Sequence, residues 1–244
     1  MNRLISRQAA FASLVVSCLW AHAPTDALAQ FRTIDGTNNN ANNPNWGAVG
    51  EFLLRESFAD YADGLSQMKS GPNPRTVSNL VFDQNVDLPS AAGLSSGFWQ
   101  WGQFIDHDYA LVLTNPFVDT ADIIPVQPDP DGIAVIPFGR SDSAVDGANV
   151  RQQINSITSY IDGSQVYGSD AAKAAALRTM SGGKLKVTST SGGDFLPLDN
   201  QDVDLGSVFM DDGFIGQSPL FVAGDLRANE QPGLTAMHTL FVRE

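Results

Sequence analysis

The stretch WQWGQFIDHDYAL (Trp99–Leu111) constrains this chain most, because it holds aromatic rings, an amide and an Asp-His-Asp triplet within thirteen residues. Its single glycine, lack of proline and apolar residues at intervals of three and four predict a helix with its aromatic side chains in the core. Successive helical residues are rotated by about 100°, so Gln103 shares a face with Asp106 and His107, while Asp108 turns away. Alone, the triplet could equally be a solvated helix turn with local charge pairing.

The composition is that of a globular protein. Hydrophobic residues make up 43% of the chain and charged residues 17%. The length of 244 residues is enough for one sizeable domain with its own core. The net charge of −13 argues against a nucleic-acid partner, which would require a basic surface. The apolar run near the amino terminus is too short to span a bilayer comfortably, so no transmembrane segment is expected.

Residues 1–29 have the organisation of a signal peptide. Arg3 and Arg7 precede a short apolar run, and a small-x-small cleavage site ends at Ala29. We therefore expect a secreted, periplasmic or otherwise extracellular protein. A lipoprotein processing box ending at Cys18 is the alternative and would anchor the chain by a lipid. Simple cleavage would leave no cysteine, so a bound metal rather than a disulfide is the candidate for local rigidity.

A second motif, TSYIDGSQVYGSD, carries oxygen-bearing side chains. Thr158, Tyr160, Asp162 and Ser164 are spaced by two, so in an extended segment they would point the same way. Hydroxyl, carboxylate and carbonyl oxygens suit Ca²⁺ better than Zn²⁺. A polar strand edge is the alternative interpretation of this spacing.

The third motif, GDLRANEQPGLTAMHTLFVRE, predicts a helix. Pro232 suits a first helical turn, and a helical apolar stripe follows, comprising Leu234, Met237, Leu240 and Phe241. His238 is expected to be a packed core histidine. Arg227 could form a surface ion pair with Asp225.

Three further segments have simpler predictions. A short alanine-rich helix is expected over Ala171–Met180, and a hairpin or mobile loop over the Gly- and Ser-rich Ser181–Asp194. Asp129–Gly132 lacks the further acidic positions of a calcium-binding loop and is expected to be a surface turn.

Several of these motifs resemble the animal haem peroxidase family. The string WGQFIDHD resembles the family's distal-helix motif, and FRTIDGTNNNANNPNWG, YADG, PRTVSN and the two later motifs follow in the family's order. The resemblance covers nearly all of residues 30–244 and implies a mainly α fold with long loops. In the family the proximal histidine lies further downstream. We therefore expect residues 30–244 to be the amino-terminal, distal part of a peroxidase domain, truncated before that histidine and lacking a carboxy-terminal half.

The resemblance assigns roles around a haem b. His107 matches the distal histidine and Arg227 the distal arginine. Gln103 matches a residue that contacts water or halide in the distal cavity. Asp106 and Glu230 match the carboxylates that form ester links to the haem.

The resemblance also implies a calcium site that joins the second motif to the residue after the distal histidine. Its ligands would be Asp108, Thr158, Tyr160 (through its carbonyl), Asp162 and Ser164. Such an ion would fix the position of the neighbouring imidazole.

The implied activity is reduction of hydrogen peroxide coupled to oxidation of a small electron donor, namely a halide, a pseudohalide or an organic molecule, in the response to oxidative stress. Gln231 stands where some members carry a methionine that forms a third haem link, which argues against strong chloride oxidation. A non-enzymatic, secreted calcium-binding remnant of a peroxidase is the alternative from another functional class.

Overall fold

The computed structural model of the protein describes residues 32–114, 118–199, 210–211, 216 and 219–244. The signal-peptide prediction for residues 1–29, with Cys18, lies outside the described residues. The polypeptide divides after Arg32, and the elements below all belong to the unit Thr33–Glu244. No helix in the described ranges combines the length and the apolar character needed to cross a membrane.

Helices are the longest regular elements of the described chain. They are α1 (Pro74–Phe82), α2 (Ser96–Asp106), α3 (Ser164–Tyr167), α4 (Ala171–Ala176) and α5 (Pro232–Arg243). Strands are confined to two short antiparallel hairpins, β1 (Ser143–Val145) with β2 (Arg151–Gln153), and β3 (Thr188–Thr190) with β4 (Gly193–Phe195). Loops connect these elements over most of the described chain, so the expected long loops are present, and the helices support the mainly α prediction only in part.

The helix starts follow from local capping. The Asn73 side chain accepts hydrogen bonds from the backbone N–H groups of the first turn of α1, and the Gln231 side chain does the same for α5. Pro232 occupies the first turn of α5, as predicted. The alanine-rich helix α4 begins after Asp170, whose carboxylate accepts from the Lys173 N–H, and it ends four residues before the predicted end.

Helix α2 differs from its predicted bounds. It begins at Ser96 and ends at Asp106, with His107 as its C-cap in the right-handed helical region. The last turn tightens, because the Asp108 N–H donates to the Ile105 carbonyl at 2.9 Å, three residues back. Of the Asp-His-Asp triplet, Asp106 is therefore the last residue of the helix, and His107 and Asp108 follow it.

Few of the aromatic rings of α2 are core residues, contrary to expectation. Phe104 is 1% exposed, whereas Trp101 is 42% exposed. Phe104 stacks on Phe241 of α5 with a centroid separation of 4.6 Å and meets the ring of His238 edge-on at 4.9 Å. The prediction of a buried His238 is confirmed. Phe104 is thus the buried ring of the α2–α5 contact, and the partly exposed Trp101 also stacks on Phe241, at 6.0 Å.

The buried apolar side chains form two clusters. The first contains Phe104, Val166 and Leu234. The second contains Leu177, Leu196, Met210, Leu220, Val222, Ala223 and Ala228. Leu185 and Val242 pack against both, so α5 and the segment before β3 join the two clusters. Burial of these groups supplies the main drive for bringing α2, α3 and α5 together.

The predicted surface turn at Asp129–Gly132 is present, with the Gly132 N–H donating to the Asp129 carbonyl at 3.0 Å. Its first carboxylate is buried, however, and takes two hydrogen bonds from Arg75 of α1, at 2.8 Å from Nε and 3.2 Å from Nη2. Arg75 also pairs with Asp131. These ion pairs therefore join α1 to the turn at Asp129–Gly132.

Candidate functional site

Three backbone segments meet at the carboxyl end of α2: that helix end, α3, and the turn beginning at Gly224. A Cβ atom at Gly224 would lie 2.4 Å from the Ser164 carbonyl oxygen, so this close crossing requires glycine. The Asp225 N–H donates to the Gln165 carbonyl at 2.9 Å, and Gln165 Nε2 donates to the Phe104 carbonyl at 3.3 Å. Gln165 therefore ties the Gly224 turn to α2.

Asp225 and Arg227 form a bidentate ion pair at this crossing. Arg227 Nε and Nη2 donate to the two carboxylate oxygens at 2.9 and 2.8 Å, and the Arg227 N–H donates at 2.8 Å. Burial would raise the pKa of Asp225, but the hydrogen bonds and charge of Arg227 outweigh it and hold the pKa below its usual value. The sequence suggested a surface ion pair between these two residues. The pair is present but buried, with the Asp225 side chain 1% exposed.

His107 lies between this pair and Glu230. The residue is 4% exposed, its Nδ1 is 4.0 Å from Asp225 Oδ1, and its Nε2 is 3.8 Å from Glu230 Oε2. Nδ1 is buried without a hydrogen-bond partner, and Arg227 Nη2 donates to the His107 carbonyl at 3.4 Å. Burial, followed by the positive charge of Arg227, lowers the pKa of His107 to about 4. The imidazole is therefore neutral at physiological pH.

An amide and a carboxylate close the other side of His107. Gln103 Nε2 donates to Glu230 Oε2 at 2.8 Å, and Gln231 Nε2 donates to Gln103 Oε1 at 3.3 Å. Burial raises the pKa of Glu230, although its side chain is still 36% exposed. Asp106 is exposed at the last position of α2 and engages the Tyr109 hydroxyl. The structure thus brings Gln103, His107, Arg227 and Glu230 together, with Asp106 on the adjoining exposed face.

Asp108 points in the opposite direction from this group, into the segment before α3. Its carboxylate accepts from the Gly163 N–H at 3.0 Å and from Ser164 Oγ at 3.1 Å. Gly163 has φ +79°, a conformation that favours glycine. These bonds hold the carboxylate against the start of α3.

The segment 158–164 is not extended, which corrects the prediction. It bends over residues 159–163, and Ser164 already belongs to α3. Its polar groups instead pair locally: Thr158 Oγ1 donates to Asp162 Oδ2 at 3.1 Å, and the Ser164 N–H donates to Asp162 Oδ1 at 3.0 Å. The Tyr160 hydroxyl points away and donates to the Trp46 carbonyl at 2.6 Å, which leaves the Tyr160 carbonyl as its candidate ligand atom.

The bend still links four of the five predicted calcium ligands through hydrogen bonds. Asp108 contacts Ser164, Ser164 contacts Asp162, and Asp162 contacts Thr158. All the candidate ligand atoms for the metal are oxygens, and two of the ligand groups are carboxylates, which fits Ca²⁺. In the described part of the chain no three His, Cys, Asp or Glu side chains gather as a metal-binding group.

Sequence reasoning missed two residues that shape the site. The sequence predicts Asp225 only as a surface partner of Arg227, although its position two residues earlier in the same motif is a usable signal. Gln165 lies within the second motif, but no spacing or periodicity there marks it as buried between α2 and the Gly224 turn.

The family model for animal haem peroxidases matches residues 31–244. Human (Homo sapiens) eosinophil peroxidase is 36% identical over the matched region, which covers 88% of this chain and 35% of that protein. The structure of peroxidase A from Dictyostelium discoideum matches with a TM-score of 0.76 and 30% identity, covering 88% of this chain and 44% of that one.

A fatty acid alpha-dioxygenase from Arabidopsis thaliana shares the fold alone, with a TM-score of 0.67 at 21% identity. The chain spans roughly a third of the eosinophil peroxidase and less than half of peroxidase A. These relatives share the peroxidase fold over most of the described chain, and the family model extends over nearly all of it. The chain belongs to the animal haem peroxidase family.

Proposed function

We propose that this chain provides the peroxide-binding side of an exported haem peroxidase that reduces hydrogen peroxide and oxidises a halide, pseudohalide or organic donor in the response to oxidative stress. One observation carries the proposal: a buried, neutral His107 lies between the Asp225–Arg227 pair and Glu230. Acid–base catalysis on peroxide needs a neutral base beside a fixed positive charge, and this arrangement offers both.

The residues at the site fit a haem on the Nε2 side of His107. That side carries Gln103 and the partly exposed Glu230, and Asp106 lies one residue before the histidine on the exposed end of α2. Asp106 and Glu230 are the side chains that would hold the haem through ester links. When bound, the haem iron would supply the redox chemistry.

The side chains of this chain would handle the proton and the charge. Neutral His107 can accept a proton at Nε2 from one peroxide oxygen and return it to the other, which then leaves as water. The Arg227 guanidinium, held in place by Asp225, can stabilise the negative charge that develops on the departing oxygen. The Gln103 amide contacts the same Glu230 oxygen that lies near His107 Nε2, and it is the group that would orient water or a halide there.

Calcium is proposed as the second cofactor. Its oxygen ligands would be Asp108, Thr158, the Tyr160 carbonyl, Asp162 and Ser164. The support is the chain of hydrogen bonds that already joins four of these residues. Because Asp108 directly follows His107, an ion there would restrain the backbone that carries the imidazole.

Export is proposed from the organisation of residues 1–29. Mass spectrometry of the mature protein should find Gln30 at the amino terminus. A lipid-modified Cys18 there would favour the lipoprotein alternative, and an intact Met1 would contradict both.

The proposed reaction is tested by stopped-flow mixing of peroxide with the haem-loaded complete protein, which includes the carboxy-terminal part expected to carry the proximal histidine, because residues 30–244 alone are expected to be inactive as a peroxidase. His107→Ala should slow the first spectral change by about 10²–10⁴, the usual effect of losing a positioned acid–base group. Asp129→Asn is the matched control, because it disturbs a buried Asp–Arg pair elsewhere in the fold. A His107→Ala rate within about threefold of the parent would remove His107 from this role. Calcium binding without any haem binding would favour the remnant alternative.

A further inference from the structure

Asp225 has a contact that its pairing with Arg227 does not explain. Its Oδ1 atom lies 4.0 Å from His107 Nδ1, beyond hydrogen-bond distance, and both side chains are buried. Arg227 binds the same Oδ1 atom, and its positive charge opposes a proton on the ring more strongly than Asp225 favours one. The Asp225 carboxylate distinguishes the two ring nitrogens, because it lies beside Nδ1 in a water-poor interior with little solvent to screen it. Its negative charge therefore favours a proton on the nearer ring nitrogen.

No hydrogen bond decides which ring nitrogen of His107 carries the proton. In most histidines the tautomer is set by the partner of one nitrogen. Here Nδ1 has no partner. Within the described chain, the other buried side-chain polar atoms without a partner are Gln165 Oε1 and both ring nitrogens of His238. The charges around the ring therefore decide the tautomer.

Two carboxylates compete for the ring proton. Glu230 Oε2 is slightly closer, 3.8 Å from Nε2, but it accepts a hydrogen bond from Gln103 and is partly exposed to water. Asp225 is almost fully buried, so its field is screened less. An ester at Glu230, if formed, would remove that competing charge.

We propose that Asp225 is a positioning residue that holds His107 in the tautomer protonated at Nδ1 and thereby leaves the Nε2 lone pair free to accept a proton from peroxide. The same carboxylate fixes the Arg227 guanidinium beside the ring. One buried anion thus prepares both the base and the cation of the site. The inference rests on the proposed role of His107, since an unprotonated Nε2 matters only if that nitrogen acts on a substrate.

The test is nuclear magnetic resonance of the protein labelled with ¹⁵N-histidine. Long-range ¹H–¹⁵N correlations distinguish the two neutral tautomers, and the loss of signals in His107→Gln assigns the ring. In the unmodified protein we expect His107 to be protonated predominantly at Nδ1. Finding it protonated predominantly at Nε2 would overturn the inference without any variant.

Variants then identify the group responsible. Asp225→Asn should invert the His107 pattern, whereas Asp129→Asn, which alters a comparable buried Arg-bound carboxylate, should leave it unchanged. Glu230→Gln should retain or strengthen protonation at Nδ1. Inversion by Glu230→Gln, or a folded Asp225→Asn protein with the parent pattern, would contradict the inference. The tautomer is read without peroxide, so this outcome is independent of the kinetic test of His107→Ala.

Discussion

His107 and Asp108 are adjacent, both are almost fully buried, and their side chains meet opposite conditions. The Asp108 carboxylate accepts hydrogen bonds from Gly163 and Ser164, while the His107 ring has a nitrogen with no partner. Buried polar groups are normally satisfied, because leaving one unpaired costs about 1–3 kcal/mol. Asp108, whose carboxylate is hydrogen-bonded, behaves as a structural link, whereas His107, whose ring is not fully hydrogen-bonded, remains available for chemistry.

The largest expected effect separates the two neighbours by function. His107→Gln should slow the reaction with peroxide by about 10²–10⁴-fold. It should change thermal stability little, because no hydrogen bond to its Nδ1 is lost. Asp108→Ala should lower thermal stability and calcium content, since it removes acceptors for three segment-joining donors. Stopped-flow rates and thermal unfolding of both variants check this. A His107→Gln protein as unstable as Asp108→Ala would erase the distinction.

The next effect concerns the segment that Asp108 binds. Asp162→Ala should lower calcium content and haem retention together, because the carboxylate organises both Thr158 and the start of α3. Atomic absorption and haem spectra provide the readout. Asp146→Ala is the matched control, since Asp146 also caps a turn with its carboxylate but contacts residues of its own hairpin. Unchanged calcium in Asp162→Ala would mean that the site is misassigned.

The third effect concerns the haem, which we propose to lie on the Nε2 side of His107. Haem in the loaded protein should resist acid–organic extraction, because Asp106 and Glu230 are both accessible for ester formation. The double variant Asp106→Asn, Glu230→Gln should release it. Free extraction of haem from the parent protein would rule out the links.

The smallest effect comes from the second buried histidine. Burial lowers the pKa of His238 to about 4. As pH falls below about 6.5 the unfolded chain takes up a proton that the folded chain refuses, so this contribution to stability is complete above pH 6.5 and is lost toward pH 4. The loss should reach up to about 3 kcal/mol.

Denaturant unfolding across that pH range measures the effect of His238. His238→Phe should flatten the pH dependence, because phenylalanine keeps an aromatic ring against Phe104 and has no proton to gain. His107 contributes in the same direction, so part of the slope should remain. An unchanged slope in His238→Phe would show that the histidine is not buried in solution.

Much of the local structure follows from the sequence. Pro232 and the apolar spacing after it predicted α5, and the burial of His238 followed from its place on that stripe. The order and content of the motifs indicated the family, because a rare string such as WGQFIDHD has few other interpretations. Capping and periodicity depend on neighbours within a few residues, so the chain alone carries them.

Tertiary structure decided the rest. Spacing by two suggested an extended segment 158–164, but the Asp108 carboxylate binds the Gly163 N–H and Ser164 from 55 and 56 residues away, and the segment bends. The sequence placed Asp225 beside Arg227, yet only the crossing at Gly224 buries the pair and brings it to His107. Burial and long-range contact depend on which surfaces exclude water in the folded chain, and no local pattern of residues encodes that.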